Sequence, residues 1–215
     1  MASGDSRRGA VAGVTAPLVF LGGLALLDAL AGRVEVSDHE LGSRAWLMHA
    51  VFLVAGLLVL AFAVALGRQL AGRRSAGVTR FFVGLFGVGA LLGTFTPDPD
   101  EPHTWHGLVH FAGFLLVTLA LLPAMAAFAL AVRGNQQWRG FGWASAAAAV
   151  GTVAVVFAPA TSTGNDYALW TGPASMLELV LVFGWIEVVA LRLLALSRDA
   201  AVAQNGRPTA TAATT

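Results

Sequence analysis

The chain has 215 residues, 57% of them apolar and 12% charged, and a net charge of +1, the composition of a protein held mostly in lipid. Having neither cysteine nor lysine, it is excluded from disulfide frameworks, thiolate metal sites, cysteine nucleophiles, Schiff-base chemistry and lysine-based nucleotide loops. Its basic residues are sorted along the chain rather than gathered into one patch, which argues against a nucleic-acid partner.

In chain order, apolar runs cover residues 10–32, 45–66, 77–95, 105–132, 140–160 and 173–196, each near or above the ~20 residues that span a hydrocarbon core. They predict an all-α, polytopic membrane bundle of six transmembrane helices over residues 10–196. Residues 1–9 form a short N-terminal segment before it, and residues 197–215 a tail read as disordered, polar and low in complexity from Gln204. Arg7, Arg8, the first apolar run and Ala29-Leu30-Ala31 resemble a cleavable signal peptide. That run is longer than a signal core and holds Asp28, so the first helix is read as retained. Pro17 and Pro123 should bend the first and fourth helices, since each removes a backbone donor. Gly84, Gly87, Gly89 and Gly93 in the third helix, and Ala146 to Ala149 with Gly151 in the fifth, should let neighbours approach closely.

The segments between these runs alternate in charge. Arg7, Arg8, Arg68, Arg73, Arg74, Arg80, Arg133, Arg139, Arg192, Arg198 and Arg207 fall on one side of the weave, and only Arg33 and Arg44 on the other. The positive-inside rule puts both termini in the cytoplasm of a multi-pass cell-membrane protein, with anionic lipid as a partner of the cytoplasmic arginines. The outer loops are acidic and carry histidine. Glu35, Asp38, His39 and Glu40 lie in the first, Asp98, Asp100, Glu101 and His103 in the second, and Asn165, Asp166, Tyr167 and Trp170 in the third.

Depth along the helices singles out the residues able to carry chemistry. Asp28, His49, His110 and Glu178 each fall about one turn below the outer end of a different helix, at ~1.5 Å per residue. Ionisable groups in hydrocarbon cost several kcal/mol unless they face one another or water, so one shared polar cavity is expected; snorkelling to the interface is the alternative for each alone. His106 and His110, four apart, lie on one helical face, where two nitrogens can share a metal or a proton. His49 is a third candidate ligand for a divalent ion such as zinc, and Asp98 a candidate to ligate or to orient an imidazole. Asp98-Pro99-Asp100-Glu101 is similar to the acidic motif that protonates isoprenoids in class II terpene cyclases. Flanked by prolines, it also reads as an acidic turn entering the fourth helix. Glu187, deeper in the sixth helix, fits either a helix–helix hydrogen bond or a proton path.

Several segments resemble the DUF998 family of bacterial membrane proteins: Gly13-Val14-Thr15-Ala16-Pro17, Ser37-Asp38-His39-Glu40-Leu41-Gly42, Gly56-Leu57-Leu58, Phe95-Thr96-Pro97-Asp98-Pro99, and His106-Gly107-Leu108-Val109-His110. The resemblance covers most of residues 10–196. It departs at Thr96-Pro97, where the family's proline is shifted, and at Phe111, where an Asp often follows the histidine. It implies the membrane architecture and points to Asp98, His106 and His110, but supplies no reaction.

The function expected from these residues is that of a membrane-embedded enzyme acting on a lipid-like or isoprenoid-like apolar substrate from the outer leaflet. Asp98, His106, His110, Asp28 and Glu178 are its candidate catalytic residues, and His49, His106 and His110 its candidate metal ligands. Metal-assisted hydrolysis would resemble the logic of the ceramidase and adiponectin-receptor superfamily, and acid-catalysed cyclisation that of the terpene cyclases. The alternative is a non-catalytic transport, sensing or accessory protein whose outer histidines titrate between about pH 5 and 8.

Overall fold

A computed structural model describes residues 2–31, 36–99, 103–162 and 173–205. Six α-helices account for most of them: α1 (Ala2–Ala31), α2 (Ala45–Gln69), α3 (Ala76–Leu92), α4 (Trp105–Val132), α5 (Phe141–Ser162) and α6 (Pro173–Asn205). The expected apolar runs lie within or overlap these helices. Two ends differ from expectation. Asp5 in the first turn favours a helix N-terminus, and α1 begins at Ala2, inside the segment read as preceding the bundle. The last helix runs on through 197–205, where Ala200, Ala201 and Ala203 supply helix-forming residues. Arg33, Glu35, Asp100, Glu101, residues 165–170 and the tail from 206 lie outside the described residues.

Each helix packs on its chain neighbours and α6 closes on α1, so the six form a ring. Across its centre Phe20 of α1 stacks on Phe183 of α6 at 4.5 Å, and Phe52 of α2 and Phe86 of α3 meet the pair edge-on. Outward, every helix exposes large apolar side chains, among them Leu18, Leu57, Phe81, Leu119, Val150 and Val188. An apolar belt all the way round is tolerated in lipid and not in water. Helices α1, α2, α4 and α6 are long and apolar enough to cross a membrane, while α3 and the Phe141–Val156 stretch of α5 are shorter apolar helices. Pro17 and Pro123 both sit inside continuous helices.

Contacts sort the bundle into two chemically distinct ends. At one, Arg68 pairs with Asp5 at 3.3 Å, Arg73 donates to the Ala131 carbonyl, and Arg192 donates to the Gln137 carbonyl. At the other, Arg44 donates to the Leu30 carbonyl at 2.8 Å, and the acidic, histidine-bearing segments gather.

The glycines of α3 do different jobs. A Cβ on Gly89 would lie 2.8 Å from the Gly113 carbonyl, and one on Gly113 would lie 2.7 Å from the Gly89 carbonyl, so these two set the closest approach of α3 to α4. Gly87 faces Leu60 of α2 and Gly93 faces Phe52, whereas Gly84 and Gly151 have open space beside them. Backbone cannot yield as a flexible side chain can. Gly113→Ala is therefore expected to destabilise the bundle by about 1–3 kcal/mol, against a helix-propensity gain of up to ~1 kcal/mol. Gly84→Ala should be neutral or slightly stabilising. Thermal unfolding of the two variants in one detergent checks the contrast.

Candidate functional site

The cluster at the acidic, histidine-bearing end is assembled from the last turn of α1, the turn Ser37–Glu40, the second turn of α2 and the second turn of α4. The segment after α1 folds back on the bundle as a single turn of 3-10 helix, Ser37–Glu40, and this reversal buries His39 and Glu40. His39 Nε2 lies 2.9 Å from Asp28 Oδ1, with the imidazole only 2% exposed. Next in sequence, the Glu40 side chain is fully buried, and its Oε2 lies 3.2 Å from His49 Nε2 and 3.7 Å from His110 Nδ1.

Proton positions follow from the partners. His110 Nδ1 lies 2.7 Å from the Phe95 carbonyl oxygen; a carbonyl only accepts, so Nδ1 carries the proton and donates it. His110 is thus committed to the main chain and meets Glu40 as an electrostatic neighbour. His49 Nε2 and both Glu40 oxygens are buried, and none completes a hydrogen bond among the described residues. Leaving such a group unsatisfied costs about 1–3 kcal/mol, so this trio is where the fold holds polar atoms in reserve. Burial pushes the Glu40 carboxyl from 4.5 up to about 9, because the charged form loses its hydration and gains no hydrogen bond in return. At neutral pH Glu40 is a carboxylic acid facing an imidazole. His49 is 30% exposed, so one side chain joins the buried acid to the surface.

His106 occupies a neighbouring but separate station. Its Nδ1 lies 2.9 Å from the Thr96 carbonyl, 3.0 Å from Thr104 Oγ1 and 4.0 Å from Asp98 Oδ1. The spacing of four therefore docks α4 onto the segment before it: His110 holds the Phe95 carbonyl and His106 the Thr96 carbonyl. In each neutral ring this leaves Nε2 bare. Among the described residues no group of three or more His, Asp or Glu side chains stands close enough to hold a metal ion.

Asp98 behaves as the turn reading expects. Its Oδ2 accepts from the backbone N–H of His103 at 2.6 Å and of Thr104 at 2.8 Å, and Oδ1 accepts from the Thr104 hydroxyl at 2.8 Å. Thr104 caps α4 in turn, accepting from Gly107 N at 3.1 Å. Three donors aimed at one carboxylate, led by the Thr104 N–H, hold Asp98 at about 2, so at neutral pH it has no proton to give. Gly107 makes the room, since a Cβ there would lie 2.2 Å from Asp98 Oδ2. A carboxyl whose folded pKa is depressed stabilises the fold above the ordinary carboxylate range and loses that contribution as pH falls toward about 2. Asp98→Ala is expected to speed amide exchange at His103 and Thr104 at neutral pH and to leave little difference from wild type at the acid end of that window.

Glu178 is buried in the second turn of α6. Among the described residues it forms no ion pair with His49 or His110. Of the residues nominated from sequence, the structure thus joins His49 to His110 through Glu40, pairs Asp28 with His39, and groups His106 with Asp98. Glu40 and His39 were not among them. Their available signal was position, because both lie in the Ser37–Gly42 segment that carries the family resemblance.

A family model described as "Protein of unknown function (DUF998)" matches residues 11–192. No curated protein and no solved structure matches the chain.

Proposed function

The chain belongs to the DUF998 family and is an integral membrane protein, and on that footing we propose that it is a membrane-embedded acid–base enzyme. Its substrate is lipid-like or isoprenoid-like and enters from the outer leaflet. All six helices cross the bilayer in this reading, with both termini cytoplasmic. The arginine bias supports the orientation, and the apolar residues exposed on α3 and α5, Phe81 and Val150, support lipid contact for the two shorter helices.

One observation carries the chemistry: a fully buried carboxyl, Glu40, stands 3.2 Å from an imidazole that reaches the surface. Glu40 gives its proton to a carbon–carbon double bond, whose cation then loses a proton or takes up water, or to a leaving oxygen as its bond to carbon breaks, and His49 returns a proton to the Glu40 carboxylate from outside. His110, held by the Phe95 carbonyl, fixes the other flank of the acid, and the Asp28–His39 pair anchors the turn that presents it. General acid catalysis of this kind contributes ~10²–10⁴-fold. Asp98 and His106 shape the entrance of α4.

A second reading rests on the bare Nε2 atoms of His106 and His110, oriented as second-sphere hydrogen bonds orient metal-binding imidazoles. Here zinc would assist hydrolysis, but His49, His106 and His110 do not stand together as a ligand set in this structure, so holding it would require the three to move together. Elemental analysis of purified protein separates it from the first.

Lipid extracts of cells producing wild type, Glu40→Gln or no protein test the proposal. The expected result is an apolar lipid consumed or formed only with wild type. Identical extracts for wild type and Glu40→Gln would overturn it in favour of a non-catalytic transport or sensing role.

A further inference from the structure

The arginine-bearing end holds a cavity of about 800 Å³ between the end of α4 and the start of α5. The chemistry described above does not use it. We propose that this cavity binds the headgroup of an anionic phospholipid.

Its walls have the character such a ligand requires. Arg133 and Arg139 line it, no acidic residue does, and neither guanidinium has a hydrogen bond or ion pair among the described residues, both side chains being exposed. Two unneutralised guanidinium groups in one concavity attract a phosphodiester. The cavity's edge is apolar and open: Leu130 is 62% exposed and Trp143 85% exposed. An exposed tryptophan next to arginines at a helix end is the chemistry of a headgroup boundary. A soluble phosphate would use the arginines but not this rim, whereas a phospholipid uses both, its acyl chains lying along Leu130 and Trp143.

The floor is built rather than incidental. Gly134 and Gly140 bracket the turn with φ of +76° and +83°, conformations that glycine adopts at little cost. Between them Asn135 Oδ1 accepts from Gln137 N at 3.0 Å, and Trp138 is buried edge-on against Phe128 and Phe141. From α6, Arg192 donates through both Nε and Nη2 to the Gln137 carbonyl. The arginines therefore project from a braced turn, which reduces the ordering cost of binding.

Native mass spectrometry of the detergent-solubilised full chain, titrated with phosphatidylglycerol, phosphatidylcholine or inorganic phosphate, tests the site. Wild type should retain phosphatidylglycerol in preference to phosphatidylcholine, and inorganic phosphate should not displace it. Arg133→Ala and Arg139→Ala should each weaken phosphatidylglycerol retention about fivefold, the scale of one basic residue at an anionic surface. Arg7→Ala with Arg8→Ala should leave it unchanged. Ala146→Phe fills the cavity without altering charge and should also weaken retention, so the result does not hang on the arginine variants alone. Equal retention in wild type and the Arg133→Ala/Arg139→Ala double variant, an equal loss on removing Arg7 and Arg8, or displacement by inorganic phosphate would each overturn the proposal.

Discussion

Glu40→Gln is expected to abolish the protein's proton-dependent function while leaving its fold intact, and to remove the alkaline decline of its stability. The glutamine amide has the shape of the carboxylic acid that burial maintains at neutral pH, so packing around His49 and His110 survives. In wild type the Glu40 carboxyl titrates near 9 in the fold against 4.5 ordinarily. The folded state therefore binds the extra proton between those values. Stability carries no penalty from Glu40 below the ordinary pKa and falls as pH rises toward 9, by up to roughly 1.4 kcal/mol per pH unit. Glu40→Gln removes that slope. Unfolding followed from pH 5 to pH 9 should show the variant gaining on wild type toward the alkaline end, with the largest difference near 9. Glu40→Ala should behave differently, since it leaves a cavity beside two imidazoles and costs stability at every pH.

Losses at His49 and His110 should not add. Both imidazoles lie beside one oxygen, Glu40 Oε2, at 3.2 and 3.7 Å, so removing either disturbs the setting of the same acid. His49→Ala and His110→Ala should each reduce activity by ~10²-fold or more, and the double variant should be little worse than either. His106→Ala should instead combine independently with His49→Ala, because its Nδ1 serves Thr96 and Thr104. Activity of the single and double variants, read with the lipid assay above, checks both halves. Full additivity between His49 and His110 would break the cluster into unrelated residues.

Helix positions were readable from sequence because apolar runs of bilayer length admit few alternatives. Helical depth was equally informative: Asp28, His49, His110 and Glu178 each lie within two turns of a helix terminus, though only the first three belong to the ion-paired cluster. Their partners were not readable. Whether His110 faces His106 or Glu40 depends on the reversal at Ser37–Glu40, a tertiary event that leaves no periodicity in the sequence. Glu40 therefore read as one more loop acid, though its side chain is fully buried. The Asp98 turn was legible in chemical terms, because a carboxylate among prolines before a helix has backbone N–H groups to accept from. The spacing of His106 and His110 correctly put both on one face, and the structure adds that this face docks on two consecutive carbonyls.

At neutral pH Glu40 holds a proton where it meets His49 and His110. Infrared difference spectroscopy of wild type against Glu40→Gln reads it directly, because a protonated carboxyl and a carboxylate absorb in separate regions. A protonated-carboxyl band is expected at pH 7, missing from the variant and titrating away near pH 9. A carboxylate signal from Glu40 at pH 7 would contradict it.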